Sequence, residues 1–185
     1  MRNNAGSSLM EVIIATTVGI LVVTALTFAT IFSLRNANFA KNSAQATKLA
    51  QQGIEKLRTS RDRNSSISIY GTPVDSWSGS NPIWNYQIKI AGGCENPSTG
   101  GKCYFNLNSV TDNLTNIGFA FVSTTNTPFP SLVEQVSYGN LIFKRAVILS
   151  DDASYTTQKI ATVVVAWVDF SGSHESRLTT VLRKL

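Results

Sequence analysis

Three kinds of hydrophobic pattern divide the chain. Residues 12–34 contain no charged side chain, and an apolar run of about 23 residues would form a helix of ~34 Å, longer than the ~30 Å hydrocarbon core of a bilayer. That is enough to cross a membrane. Over residues 36–59 the apolar positions thin to Phe39, Ala46, Leu49, Ala50, Gly53, Ile54 and Leu57. Their spacings of three, four and seven put one apolar stripe on a polar helix. No proline stands between Met1 and Pro73, so the pattern predicts one continuous helix from about Leu9 to Thr59, ~75 Å long.

The third pattern is alternation. Residues 141–150, 159–170 and 175–182 are rich in β-branched side chains and are separated by turn residues at Asp151-Asp152-Ala153 and Ser171-Gly172-Ser173. They predict a three-stranded antiparallel meander. In the middle strand Ala161, Val163, Val165 and Trp167 share one face and end at Asp169; that face should lie on the helix stripe. Earlier strands are expected at 84–90 and 103–108, with weaker ones at 67–70 and 118–122. Residues 59–82, rich in Ser, Asn, Gly, Asp and Pro, read as a loop above the helix. The predicted class is α+β: a long amino-terminal transmembrane and amphipathic helix packed on a carboxy-terminal antiparallel sheet.

Composition sharpens this division. Hydrophobic residues make up 43% and charged residues only 15%, with much of the apolar share near the amino end. The remainder is a polar, β-rich module of the kind found outside the cytoplasm. The formal net charge of +5 favours acidic partners only weakly. Lys56, Arg58, Arg61 and Arg63 cluster where the helix should end and complement its negative terminus. A nucleic-acid patch would carry aromatic stacking platforms among them, and none is interleaved.

Against this background Glu11 stands out. It is a carboxylate in the first turn of the apolar helix, where an ionisable group is costly and normally has a partner. Upstream lies a short leader carrying Arg2 and ending at Gly6-Ser7-Ser8-Leu9-Met10-Glu11. A secretory signal has a shorter apolar core, with its cleavage site beyond that core, so this arrangement does not fit one.

The segment resembles the class III signal of the type IV pilin superfamily, in which a dedicated peptidase cuts after the glycine and the fifth mature residue is glutamate. With Ser7 first, Glu11 is fifth. Leu49-Ala-Gln-Gln-Gly-Ile-Glu-Lys-Leu-Arg58 is similar to the helix-end region of minor pilins. The run Thr162-Val-Val-Val-Ala-Trp167, the Gly172 turn and Leu178-Thr-Thr-Val181 resemble the closing hairpin of the minor pilin and pseudopilin branch.

The resemblance implies a leader at 1–6, a transmembrane or filament-core helix at 7–34, its amphipathic continuation at 35–59 and an extracytoplasmic domain at 60–185. It implies cleavage after Gly6, methylation of the amine of Ser7, and pairing of Glu11 with a neighbouring subunit's amino terminus. The expected partners are a prepilin peptidase and methyltransferase, other pilin or pseudopilin subunits, and membrane lipid before assembly. The expected place is the inner membrane and then a type IV pilus or type II secretion pseudopilus. Ser7 departs from the family's common phenylalanine, and the transmembrane half lacks the kinking proline of many major pilins.

Basic residues number one before the apolar run, Arg2, and three after it, Arg35, Lys41 and Lys48, which alone would leave the large domain in the cytoplasm. The signal and the cysteines point to export. In an exported domain, Cys94 and Cys103, bracketing a turn-rich run, read as one disulfide, stabilising by ~2.5–3 kcal/mol in the chain-entropy picture.

Catalytic and metal motifs fail on inspection. His174-Glu175 begins a zinc-protease string, but Leu178 holds the second histidine position. Lys102 follows Gly101, but a phosphate loop would need glycine at Asn96 and a hydroxyl at Cys103. Asp75, Asp112, Asp151 and Asp152 lack the spacing of a calcium loop and read as turn residues, and Asn64 and Asn113 fit glycosylation acceptor triplets. No cofactor or metal is expected, and the function expected is structural rather than enzymatic. The rival is a membrane-anchored extracytoplasmic domain binding an acidic ligand or DNA.

Overall fold

The computed structural model describes residues 5–63, 68–70, 81–82, 102–107, 118–125, 133–155 and 157–184. One helix, α1, runs Ala5–Arg63, as the absence of proline predicts, and passes beyond Thr59. An Arg58–Glu55 pair of 3.1 Å, three residues apart, supports its last turns. The chain divides into two units, Met1–Asn42 and Ser43–Leu185, and α1 contributes to both.

In the first unit α1 is exposed. Every described side chain from Leu9 to Ala40 is exposed, including Ile20, Leu21, Phe28 and Phe32. Phe39, expected to open the packing stripe, is exposed too, so the stripe starts at Ala46. This corrects the reading of spacing alone, since Phe39 keeps the period of the stripe and is 42% exposed.

In the second unit Ala46, Leu49, Ala50, Ile54 and Leu57 are buried against Phe105, Phe143, Val147, Leu149, Ala161, Val163, Val165 and Trp167. The alternating face of the expected middle strand thus lies on the helix stripe. Gly53 permits the closeness: a Cβ there would stand 2.9 Å from Val163 Cγ1 and 3.3 Å from Leu107 Cδ1.

The strands are β1 (Ser68–Tyr70), β2 (Asn81–Pro82), β3 (Lys102–Asn106), β4 (Gly118–Thr125), β5 (Glu134–Tyr138), β6 (Leu141–Asp151), β7 (Gln158–Asp169) and β8 (Gly172–Arg183). Their order is β2-β1-β4-β3-β6-β7-β8, with β5 also paired to β6. The meander is β6-β7-β8, in register at Val147↔Val163 and Val163↔Leu178. All described pairs are antiparallel except β1 with β4, a parallel pair that pattern reading did not anticipate. Strand β5 was not expected either, and the strand expected at 84–90 lies outside the described residues.

Beside β5 lies a buried ion pair. Arg145 Nε and Nη2 each stand 2.7 Å from an oxygen of Glu134, and Nη1 donates to the Leu49 carbonyl at 3.1 Å. The guanidinium therefore links β5, β6 and α1.

Candidate functional site

The apolar half of α1 is a surface whose threonine hydroxyls are bonded within the helix. Thr16, Thr17, Thr24, Thr27 and Thr30 each donate a hydroxyl proton to the carbonyl four residues back, at 2.8–2.9 Å. Such bonds satisfy a hydroxyl without water. This half is long and apolar enough to cross a membrane by length and composition.

Glu11 is the charged group of this half. Its side chain is exposed on the helix, and among the described residues no hydrogen bond or ion pair engages it. Because α1 begins at Ala5, Glu11 falls in the second turn, not the first as expected, away from the free amide groups that stabilise a carboxylate at a helix start. It needs a partner from elsewhere or a position at the water boundary.

Gly6 and Ser7 lie in the first turn of α1. The first four amides of a helix have no internal acceptor, and glycine costs about 1 kcal/mol of helix propensity relative to alanine. The Gly6–Ser7 bond is thus in the part of α1 that unwinds most cheaply. Cys94 lies outside the described residues and Cys103 is a residue of β3, so their pairing falls outside them as well.

The basic residues at the helix end are partly engaged. Arg58 binds Glu55 and reaches Thr180 Oγ1 at 3.4 Å, and Arg61 pairs with Asp62 at 2.7 Å. Among the candidate carboxylates, Asp151 pairs with Lys159, and Asp152 accepts from the Ser154 amide at 2.8 Å. Asp75 and Asp112 lie outside the described residues.

One constellation escaped the sequence reading. At the β7–β8 turn, Asp169 Oδ1 accepts from the Ser171 amide at 2.8 Å and its hydroxyl at 2.6 Å, and lies 3.0 Å from His174 Nε2. The Ser171 hydroxyl bond, foremost, together with the Ser171 amide and His174, holds the Asp169 carboxyl at about 2, below its ordinary 3.8. The residue types are those of a hydrolytic triad, but the geometry differs. A triad histidine uses one ring nitrogen for serine and the other for the carboxylate, whereas here Nε2 faces both, 2.9 Å from Ser171 Oγ. The serine proton is committed to the carboxylate, and the group is a turn clasp. The Asp-x-Ser-Gly spacing of a side-chain-capped turn was the available signal.

In comparisons with known proteins, no family model, no curated protein and no solved structure matches the chain.

Proposed function

We propose that this protein is a non-enzymatic filament subunit, a minor pilin or pseudopilin. It is made as an inner-membrane precursor with its sheet domain outside the cytoplasm, cut after Gly6, methylated at Ser7 and assembled by stacking of α1. One observation carries the reading: an exposed apolar helix whose threonines are bonded to their own backbone keeps a single carboxylate, Glu11, with no partner among the described residues. The new amine at Ser7 of an adjacent subunit supplies the missing charge. The amino-terminal resemblance supports the same assignment.

The rival, an anchored binding domain, differs in the sign of one substitution. For a lone anchor, Glu11→Leu removes a desolvation cost and leaves insertion intact or improved. For a stacking subunit it strands the neighbour's amine in a low-dielectric seam, a loss of roughly 3–5 kcal/mol. The expected result is a variant that is cleaved and inserted normally but poorly recovered with sheared fibres, beside a membrane-fraction control. Equal recovery of variant and wild type in the fibres would reject Glu11 as the assembly contact and favour the anchor.

A further inference from the structure

The second unit has an apolar tip at one end. Thr47 Oγ1 is 3.3 Å from Ser176 Oγ, whereas Arg58, further along α1, reaches Thr180. Strand β8 therefore runs in the direction of the helix, and the β7–β8 turn lies at the end where α1 enters this unit. There Val168, Phe170 and Ile142 are 65%, 61% and 52% exposed. One position beyond the Phe143↔Trp167 pair, the same register sets Ile142 opposite Val168.

This exposure is built into the turn. Phe170 stands between two residues locked by the Asp169 carboxylate, and Gly172 follows at φ 128°, a conformation that side-chain-bearing residues rarely adopt. The Asp169 side chain is itself only 4% exposed, so the tip shows solvent an aromatic ring rather than a charge. Rigid apolar groups held in water mark a contact surface.

The chain limits where this end can be. From Arg35, which closes the uncharged run, to Ser43, where the unit begins, there are about eight residues, at most ~28 Å even fully extended. Exposed Lys41 lies on this stretch, and a lysine near a bilayer is drawn to anionic headgroups.

We propose that the tip formed by Val168, Phe170 and Ile142 docks on the lipid surface from which α1 emerges, seating the domain on the membrane before assembly. It rests on the membrane reading of α1. Exposed Phe and aliphatic side chains gain by burying at the boundary between headgroups and acyl chains, and the lipid contact covers apolar area that water otherwise meets.

The test is photocrosslinking of the full chain in proteoliposomes of phosphatidylethanolamine and phosphatidylglycerol. The probe p-benzoylphenylalanine is placed singly at Phe170, at Tyr155 and at Ile20. Tyr155, 59% exposed, belongs to the β6–β7 connection at the opposite end of the sheet, and Ile20 reports on the apolar helix. The expected result is lipid adducts at 20 and 170, with roughly tenfold less at 155, the preference that burial of one large apolar side chain provides. Labelling at 20, with 170 no better than 155, overturns the docking and leaves the membrane anchor standing. An adduct of 170 with a second copy of the chain in place of lipid also overturns it. Absence of lipid at 20 removes the anchor, and the docking with it.

Discussion

Arg145 and Glu134 face each other through two hydrogen bonds of 2.7 Å, with side chains only 9% and 8% exposed. The guanidinium also reaches the Leu49 carbonyl, so a single side chain ties the helix to two strands of the sheet. Removing one partner of such a pair leaves a buried charge uncompensated. Glu134→Ala should therefore lower unfolding free energy by roughly 3–5 kcal/mol in a urea melt. Replacing both residues, Arg145→Met with Glu134→Leu, should recover most of that loss. A double variant as unstable as the single one would show that the pair contributes beyond mutual neutralisation.

Gly53 sets the helix-to-sheet distance. Gly53→Ala should cost about 1–3 kcal/mol through overpacking against Val163, despite a helix-propensity gain of up to about 1 kcal/mol. Combined with Val163→Ala the losses should fall short of additive, because the two changes share one space. Gly19→Ala, where nothing lies within 4 Å, should leave the fold unharmed. The measurement is thermal unfolding of Gly53→Ala, Val163→Ala, their double variant and Gly19→Ala side by side.

The clasp at Asp169 makes the hairpin sensitive to acid. Its carboxyl is held at about 2 against an ordinary 3.8. A folded-state value below the unfolded one means stability that is present above the unfolded value and lost as pH falls through the folded one. The stability difference between wild type and Asp169→Ala should therefore be constant above pH 4 and shrink as the pH falls towards 2. Trp167 fluorescence suits the titration, since its ring is 5.3 Å from that of His174. A difference unchanged across this range would mean that the carboxylate's charge does not support the turn.

Processing offers a separate check. If the chain is cut after Gly6, as proposed, Gly6→Leu should block that cut and leave a precursor about six residues heavier than the mature chain, visible by intact-mass spectrometry. Wild-type processing of this variant would remove Gly6 as the cleavage position.

Long-period patterns were legible from sequence, and cross-chain pairings were not. The α1 stripe and the β6-β7-β8 meander follow from repeats of three to four and of two, and Gly172 marked the last hairpin. Strand β5, Glu-Gln-Val-Ser-Tyr, was invisible because its only large aliphatic residue is Val136, and because Glu134 reads as a surface charge until Arg145 is known to lie opposite. Phe39 misled for the converse reason: its period is right, but period alone does not decide burial. The Asp169 clasp could have been found from turn chemistry. The isolation of Glu11 was legible at once, because its cost depends on the apolar run around it and not on any distant contact.

The self-bonded threonines bear on how such a helix changes surroundings. With Thr16, Thr17, Thr24, Thr27 and Thr30 each closed onto the preceding turn, the passage from hydrocarbon into a protein seam that the proposed assembly requires would exchange one dry medium for another without making or breaking these threonine hydrogen bonds. The partition between the two is then decided by shape fit along the apolar side chains and by the fate of one charge. On the proposed function, such a helix would leave the bilayer where a better-fitting surface with a cation is offered.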